Sequence, residues 1–377
     1  MIFGRTRREF RVNLLWQGCV ATLCVMLMLV FASPRAEANT PLPAQPVPVL
    51  AYYYIWYTTG SWDRAKIDLP TLGPYSSDDA DVMRQHIEWA KQAGITGFIV
   101  SWKNTYVLSR RLDTLVRVAH EENFKLAIVY EGLDFERKPL PVSQIADDLD
   151  YFIAQWGTDE VFHIYERPLI IWSGTWEFSA DQVQFVTAGR RDRLLILASE
   201  RNATDYNRLA TFVDGDAYYW SSVNPSTFPG YADKLNSISA AVHQNNGLWI
   251  APAAPGFDAR SIGGTSVVDR DHGNTLRTEF NAASRSIPDA IGLISWNEFS
   301  ENSYVEPSKN FGMTYLSEIT DLLNTAGPAV PNFDSDAPIG PTANPRESFS
   351  PLVLFGAVLL TAMMLVSIRS IRGSRSG

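Results

Sequence analysis

Eight short, largely apolar runs recur along the middle of the chain, at 48–54, 96–102, 125–131, 168–172, 193–199, 212–220, 248–253 and 290–296. Runs of this length without strict apolar–polar alternation suit parallel strands covered on both faces. The intervening stretches carry apolar residues at helical spacing. The clearest is 78–93, where Ile87, Ala90 and Ala93 share one face and Gly94 follows as a stop. Further helices are expected at 231–244, 274–283 and 313–324, and within 109–121 and 142–156; the spacers after the fourth and fifth runs are short and weakly patterned. Strand and helix alternating eight times predict an α/β fold, a single closed (β/α)8 TIM barrel over 47–326. An open doubly wound sheet is the competing arrangement. It calls for a glycine-rich turn after the first strand, and Trp56-Tyr57-Thr58-Thr59-Gly60 has a single glycine there.

The two ends break this pattern. Arg5, Arg7, Arg8 and Arg11 precede an apolar stretch at 14–32, and Ala36-Glu37-Ala38 offers a small-x-small cleavage site. Residues 1–38 therefore read as a signal peptide or signal anchor, with 39–46 as a linker. A Pro-rich stalk at 327–350 leads to an uncharged apolar segment at 351–368, then Arg369, Arg372 and Arg375. A C-terminal transmembrane helix is expected at 351–368, with the basic tail 369–377 cytoplasmic and the barrel outside the cell.

Composition narrows the chemistry. The net charge is −9 and no basic run interrupts the barrel region, so nucleic acid is not an expected partner. Cys19 and Cys24, the only cysteines, both fall in the N-terminal apolar segment; a cleaved chain has neither disulfides nor a catalytic thiol. The five histidines lack ligand spacing and no Gly-x-Ser-x-Gly elbow occurs, so no metal or other cofactor is expected and serine hydrolysis is disfavoured.

Barrel active sites lie at the C-terminal ends of the strands. Aromatic and acidic residues gather at those ends. The set expected to line the site is Tyr53, Trp56, Trp102, Glu131, Trp172, Asp214, Tyr219, Trp296 and Asn297, with Glu298 and Glu301 as the chemical pair. Aromatic faces for a sugar and two carboxyls for proton transfer are what glycosidases require. A polysaccharide or glycan is thus the expected substrate. Glu298 and Glu301 meet one substrate only if the backbone turns after the last strand; otherwise Glu301 caps a helix or pairs with an arginine. A conventional pair of Glu298 with Glu131 or Glu200 stays open, as does a non-catalytic sugar-binding barrel.

Several segments together resemble glycoside hydrolase family 99, the endo-α-mannosidases and endo-α-mannanases. They are Tyr53-Tyr54-Ile55-Trp56-Tyr57, Gly73-Pro74-Tyr75-Ser76-Ser77, Val213-Asp214-Gly215 with Tyr219, Pro255-Gly256-Phe257, and Trp296-Asn297-Glu298-Phe299-Ser300-Glu301 followed by Val305-Glu306-Pro307. The resemblance implies an endo-acting enzyme that retains anomeric configuration. Glu298 would take the proton of the sugar 2-hydroxyl, Glu301 would be the general acid and base, and Tyr219 would lie near the anomeric centre. Ser300 stands where the family has histidine, and Ile55 where it has proline.

Overall fold

In the computed structural model eight parallel strands form one ring. They are β1 (Val49–Tyr54), β2 (Gly97–Trp102), β3 (Lys125–Glu131), β4 (Leu169–Ser173), β5 (Leu195–Leu197), β6 (Gly215–Ala217), β7 (Leu248–Ala253) and β8 (Ala290–Leu293). The hydrogen-bonded order is β5-β4-β3-β2-β1-β8-β7-β6. A parallel bridge between Ala198 and Asp216 closes the circle, with Ala198 N donating to Gly215 O at 2.9 Å and Ala217 N to Ala198 O at 2.9 Å. The sheet is closed, so the doubly wound alternative falls away. The structure describes residues 47–325 apart from 135; the expected signal segment, linker, stalk, membrane helix and basic tail all lie outside the described residues. Among the described residues no helix is long and apolar enough to cross a membrane.

One helix follows each strand: α1 (Ala80–Gln92), α2 (Tyr106–Glu122), α3 (Val142–Trp156), α4 (Ala180–Thr187), α5 (Ala203–Leu209), α6 (Tyr231–Gln244), α7 (Asn274–Arg285) and α8 (Thr314–Thr325). Local capping explains where several begin. Asp79 accepts from Asp81 N ahead of α1, and Thr105 from Leu108 N ahead of α2. Ser179 and Gln182 form a reciprocal capping box before α4, and Asn202 accepts from Asp205 N before α5. These caps start the two short helices whose apolar pattern is too brief to show.

Strands β5 and β6 are shorter than the runs that announced them. Their seam replaces ladder bonds with carboxylates: Asp214 Oδ2 accepts from Ile196 N at 2.8 Å, and Asp216 Oδ1 from Glu200 N at 2.8 Å. Gly215 is needed there. Its φ is +153°, and an added Cβ would lie 2.0 Å from Leu248 O.

Strand alternation sorts the core into two layers. Leu50, Tyr52, Tyr54, Ile99, Val129, Ile171, Leu197, Ala217 and Ile250 fill the barrel interior. Val49, Tyr53, Phe98, Trp102, Tyr130, Trp172, Trp249 and Trp296 pack outward between strands and helices. The outer layer holds most of the tryptophans, and this decides which aromatic residues can reach a substrate.

Candidate active site

The site is built where β1 and β8 end. β8 stops at Leu293, and a cis peptide joins Ile294 to Ser295. The chain then turns through Trp296–Glu301 over the barrel mouth. Asn297, fully buried, fastens this turn to β1. Its Oδ1 accepts from Tyr54 N at 2.8 Å, and its Nδ2 donates to Tyr54 O at 3.0 Å and to Tyr75 Oη at 3.2 Å. Tyr57 Oη donates to Asn297 O at 2.7 Å. The amide side chain thus acts as a third strand edge against Tyr54. Behind it, Tyr75 Oη donates to Glu306 at 2.9 Å, Glu306 pairs with His86 Nε2 at 3.1 Å, and His86 Nδ1 meets Tyr53 Oη at 3.0 Å. These buried groups satisfy one another's polar atoms, which holds the turn against α1.

Two further contacts grip the backbone around Glu301. Asp258 N donates to Glu301 O at 2.7 Å. Arg270 Nη2 donates to Asn302 O and Tyr304 O, both at 2.9 Å. Its guanidinium is walled by the rings of Tyr304, Phe311 and Tyr315 at 4.4–4.7 Å. Gly256 allows the loop after β7 to come this close: at φ +148°, a Cβ would lie 2.6 Å from Arg270 Cγ and 2.9 Å from Val268 O.

Glu298 is buried, and Ser300 N donates to its Oε1 at 2.9 Å. Burial raises its pKa to about 7, against the Ser300 amide and the charge of Lys66, which favour the anion. Glu301, partly exposed, has its pKa raised to about 8, first by burial and then by the charge of Glu298, with Arg137 opposing. Full ionisation of both carboxyls is therefore disfavoured near neutral pH, and the charge of Glu298 weighs against the anion on Glu301. Opposite them, Tyr54 Oη and Tyr219 Oη meet at 2.5 Å. Burial and the nearby glutamates push both phenols well above their ordinary range, so they remain protonated. Tyr52 packs edge-on to Tyr219 at 4.7 Å, and Trp56 stacks on Tyr54 at 4.4 Å. Glu131, at the end of β3, accepts from Ser101 Oγ at 3.3 Å, and its charge is felt at Glu301 and Tyr219.

Of the expected set, Trp56, Glu131, Tyr219, Glu298 and Glu301 therefore converge on the barrel mouth, with Asn297 as their support. Tyr53, Trp102, Trp172 and Trp296 do not. All four are buried in the outer layer: Tyr53 against His86, Trp102 against Phe152 and Trp156, Trp172 against Phe178, and Trp296 against Phe98. Asp214 lies at the opposite end of the barrel, ahead of β6. There it binds Arg191 at 3.0 Å and lines a hollow with Arg167 and Asn246. Glu200 is buried beside α5, with Arg208 at 3.3 Å. Tyr54, whose hydroxyl meets Tyr219, and Lys66, whose charge is felt at Glu298, stand outside the expected set. For Tyr54 the signal was present: it lies two positions after inward-facing Tyr52. Among the described residues no group of three or more His, Cys, Asp and Glu side chains could hold a metal ion.

A family model described as glycosyl hydrolase family 99 matches residues 58–317. A glycoprotein endo-alpha-1,2-mannosidase-like protein of Mus musculus is 23% identical over 344 residues, covering 73% of this chain and 74% of that protein. The glycoprotein endo-alpha-1,2-mannosidase of Rattus norvegicus is 23% identical over 275 residues, 66% of this chain and 58% of the relative. The solved GH99 endo-alpha-mannosidase of Bacteroides thetaiotaomicron superposes with a TM-score of 0.65 at 18% identity, over 73% of this chain and 96% of that one. At that identity the superposition speaks for the barrel alone.

Proposed function

This chain belongs to glycosyl hydrolase family 99, and on that premise we propose that it is an endo-acting, retaining α-glycosidase that cleaves an α-mannan or a related α-linked glycan. One observation carries the reading: Glu298 and Glu301 stand together at the barrel mouth opposite the Tyr54–Tyr219 hydroxyl pair, in unlike surroundings. Lys66 and the Ser300 amide favour the anion on Glu298, while the charge of Glu298 keeps the proton on Glu301. That is the protonation state in which one carboxylate accepts and one carboxyl donates.

The chemistry then follows in two steps. Glu298 removes the proton of the sugar 2-hydroxyl as O2 bonds to the anomeric carbon. The glycosidic bond breaks, and Glu301 gives its proton to the leaving oxygen. A 1,2-anhydro sugar results. Water then attacks the anomeric carbon and loses a proton to Glu301, the C1–O2 bond opens, and O2 recovers its proton from Glu298. Two inversions give net retention. The Tyr54–Tyr219 pair offers hydroxyl donors beside the reacting ring.

Glu298→Gln and Glu301→Gln should each abolish release of reducing ends from α-mannan while thermal unfolding stays cooperative; wild-type turnover in either variant would refute the assignment. A conventional nucleophile is the second reading. Glu131 is its remaining partner for Glu298, since Glu200 is committed to Arg208. Mass spectrometry of a glycosyl–carboxylate adduct on Glu131 or Glu298 would favour that route. The sequence of 351–377 further supports placing the barrel outside the membrane. Protease added to intact cells should then degrade it, and full protection would exclude this location.

A further inference from the structure

We propose that the cleft wall between the loops after β3 and β5 is an anion subsite, so that the glycan taken by this barrel carries acidic substituents, carboxylate or phosphate. The proposal rests on the glycosidase reading for the word substrate, but not for the charge preference. Arg201 follows β5, and its guanidinium lies 4.4 Å from the ring of Trp176 and 5.4 Å from that of Trp220. Aromatic faces hold a flat guanidinium in one plane and leave its edge donors to an oxyanion. Arg137 comes from the loop after β3, in a left-handed backbone conformation at φ +62°. Both Nε atoms are buried without a hydrogen-bond partner, and among the described residues neither side chain has an ion pair or hydrogen bond.

The two charges feel each other. Burial lowers the proton affinity of Arg201, Glu177 and Glu200 oppose it, and Arg137 adds a smaller lowering. Neither acid neutralises the cluster by direct contact. Glu200 is bonded to Arg208 at 3.3 Å, and Glu177 is exposed. The charge of Arg137 is also felt at Glu301, and both loops lie at the same end of the barrel as the glutamates. A neutral sugar hydroxyl needs acceptors as well as donors, whereas two guanidiniums present donors only. An acidic group on the neighbouring sugar fits that one-sided chemistry.

Calorimetric titration of the full chain carrying Glu301→Gln, in detergent, tests the idea with three matched α-mannan oligosaccharides: neutral, oxidised to carboxylate at the primary alcohols, and phosphorylated. The expected result is that at least one acidic form binds roughly tenfold tighter than the neutral one. Arg137→Gln or Arg201→Gln should erase most of that advantage. Should Arg201→Gln fail to fold, Arg137→Gln, on a loop, carries the same test. Equal affinity for all three forms, or a preference that survives both substitutions, would overturn the subsite. If the preference appears and the unsubstituted chain cleaves none of the three, the enzymatic reading fails while the subsite stands.

Discussion

The raised and coupled titrations of Glu298 and Glu301 predict an unusual pH profile. If kcat/KM tracks the free-enzyme form in which Glu298 is ionised and Glu301 protonated, its limits are set by values of about 7 and about 8. That form peaks near pH 7.5, where it makes up about three fifths of the molecules, and falls to about 3% at pH 5.5. The expected loss over those two pH units is therefore roughly twentyfold, with a matching loss toward pH 9.5. An ordinary glutamate, at 4.5, would leave the acid side nearly flat over the same range. The assay is kcat/KM for reducing-end release from a soluble α-mannan oligosaccharide at pH 5 to 10, with unfolding checked at each extreme. Lys66→Met supplies the second arm. Because Lys66 favours the Glu298 anion, its loss should move the acid limb to higher pH. Activity at pH 5.5 within twofold of the maximum would refute the buried-base argument, and an unmoved limb in Lys66→Met would remove the lysine from it.

Three other outcomes follow from the same contacts. Glu301 binds its proton more tightly folded than unfolded, so its contribution to stability is complete below about pH 4.5 and is lost as the pH rises through about 8; Glu301→Gln should thus match the wild type near pH 4.5 and gain a few kcal/mol over it at pH 8.5, read from thermal melts. Gly256→Ala forces a side chain into φ +148° and onto Arg270 and Val268 O, and should cost about 3 kcal/mol in urea unfolding; an unchanged midpoint would mean the loop yields freely. Tyr53→Phe removes a buried bond to His86 and should cost about 1–2 kcal/mol of stability with turnover within twofold of wild type, whereas Tyr54→Phe, which removes the hydroxyl facing Tyr219, should lower kcat/KM about tenfold with a smaller stability cost. The reverse pattern would mean that β1 presents its other face to the cleft.

Tyr53 and Tyr54 also show how far sequence alone reaches. Parallel strands buried on both faces are easy to find because they are apolar throughout, and for the same reason they conceal which residues point inward. The strand ends are legible, but Trp102, Trp172 and Trp296 do not line the cleft expected of them, because the bulky position at each end faces the helices. Inward places next to them in β2 and β4 belong to Ser101 and Ser173. The registers pair Tyr54 with Ser101 and Glu131 with Ser173, so the interior rim alternates acid and phenol with small residues, in places that three tryptophans would have filled. Asp214 was misplaced for a different reason: the run 212–220 crosses the whole barrel height, and its first carboxylate serves the floor while Tyr219 serves the mouth. For Glu298 and Glu301 the motif gave identity and spacing, yet spacing does not make an acid. What raises their proton affinity is burial, and the burial is maintained by groups far away in the chain: Asp258 and Arg270 on the backbone around Glu301, Asn297 on β1, and Tyr75, Glu306 and His86 behind it. A chain that kept both glutamates but lost Arg270 would keep the motif and lose the fixed backbone that sets its chemistry.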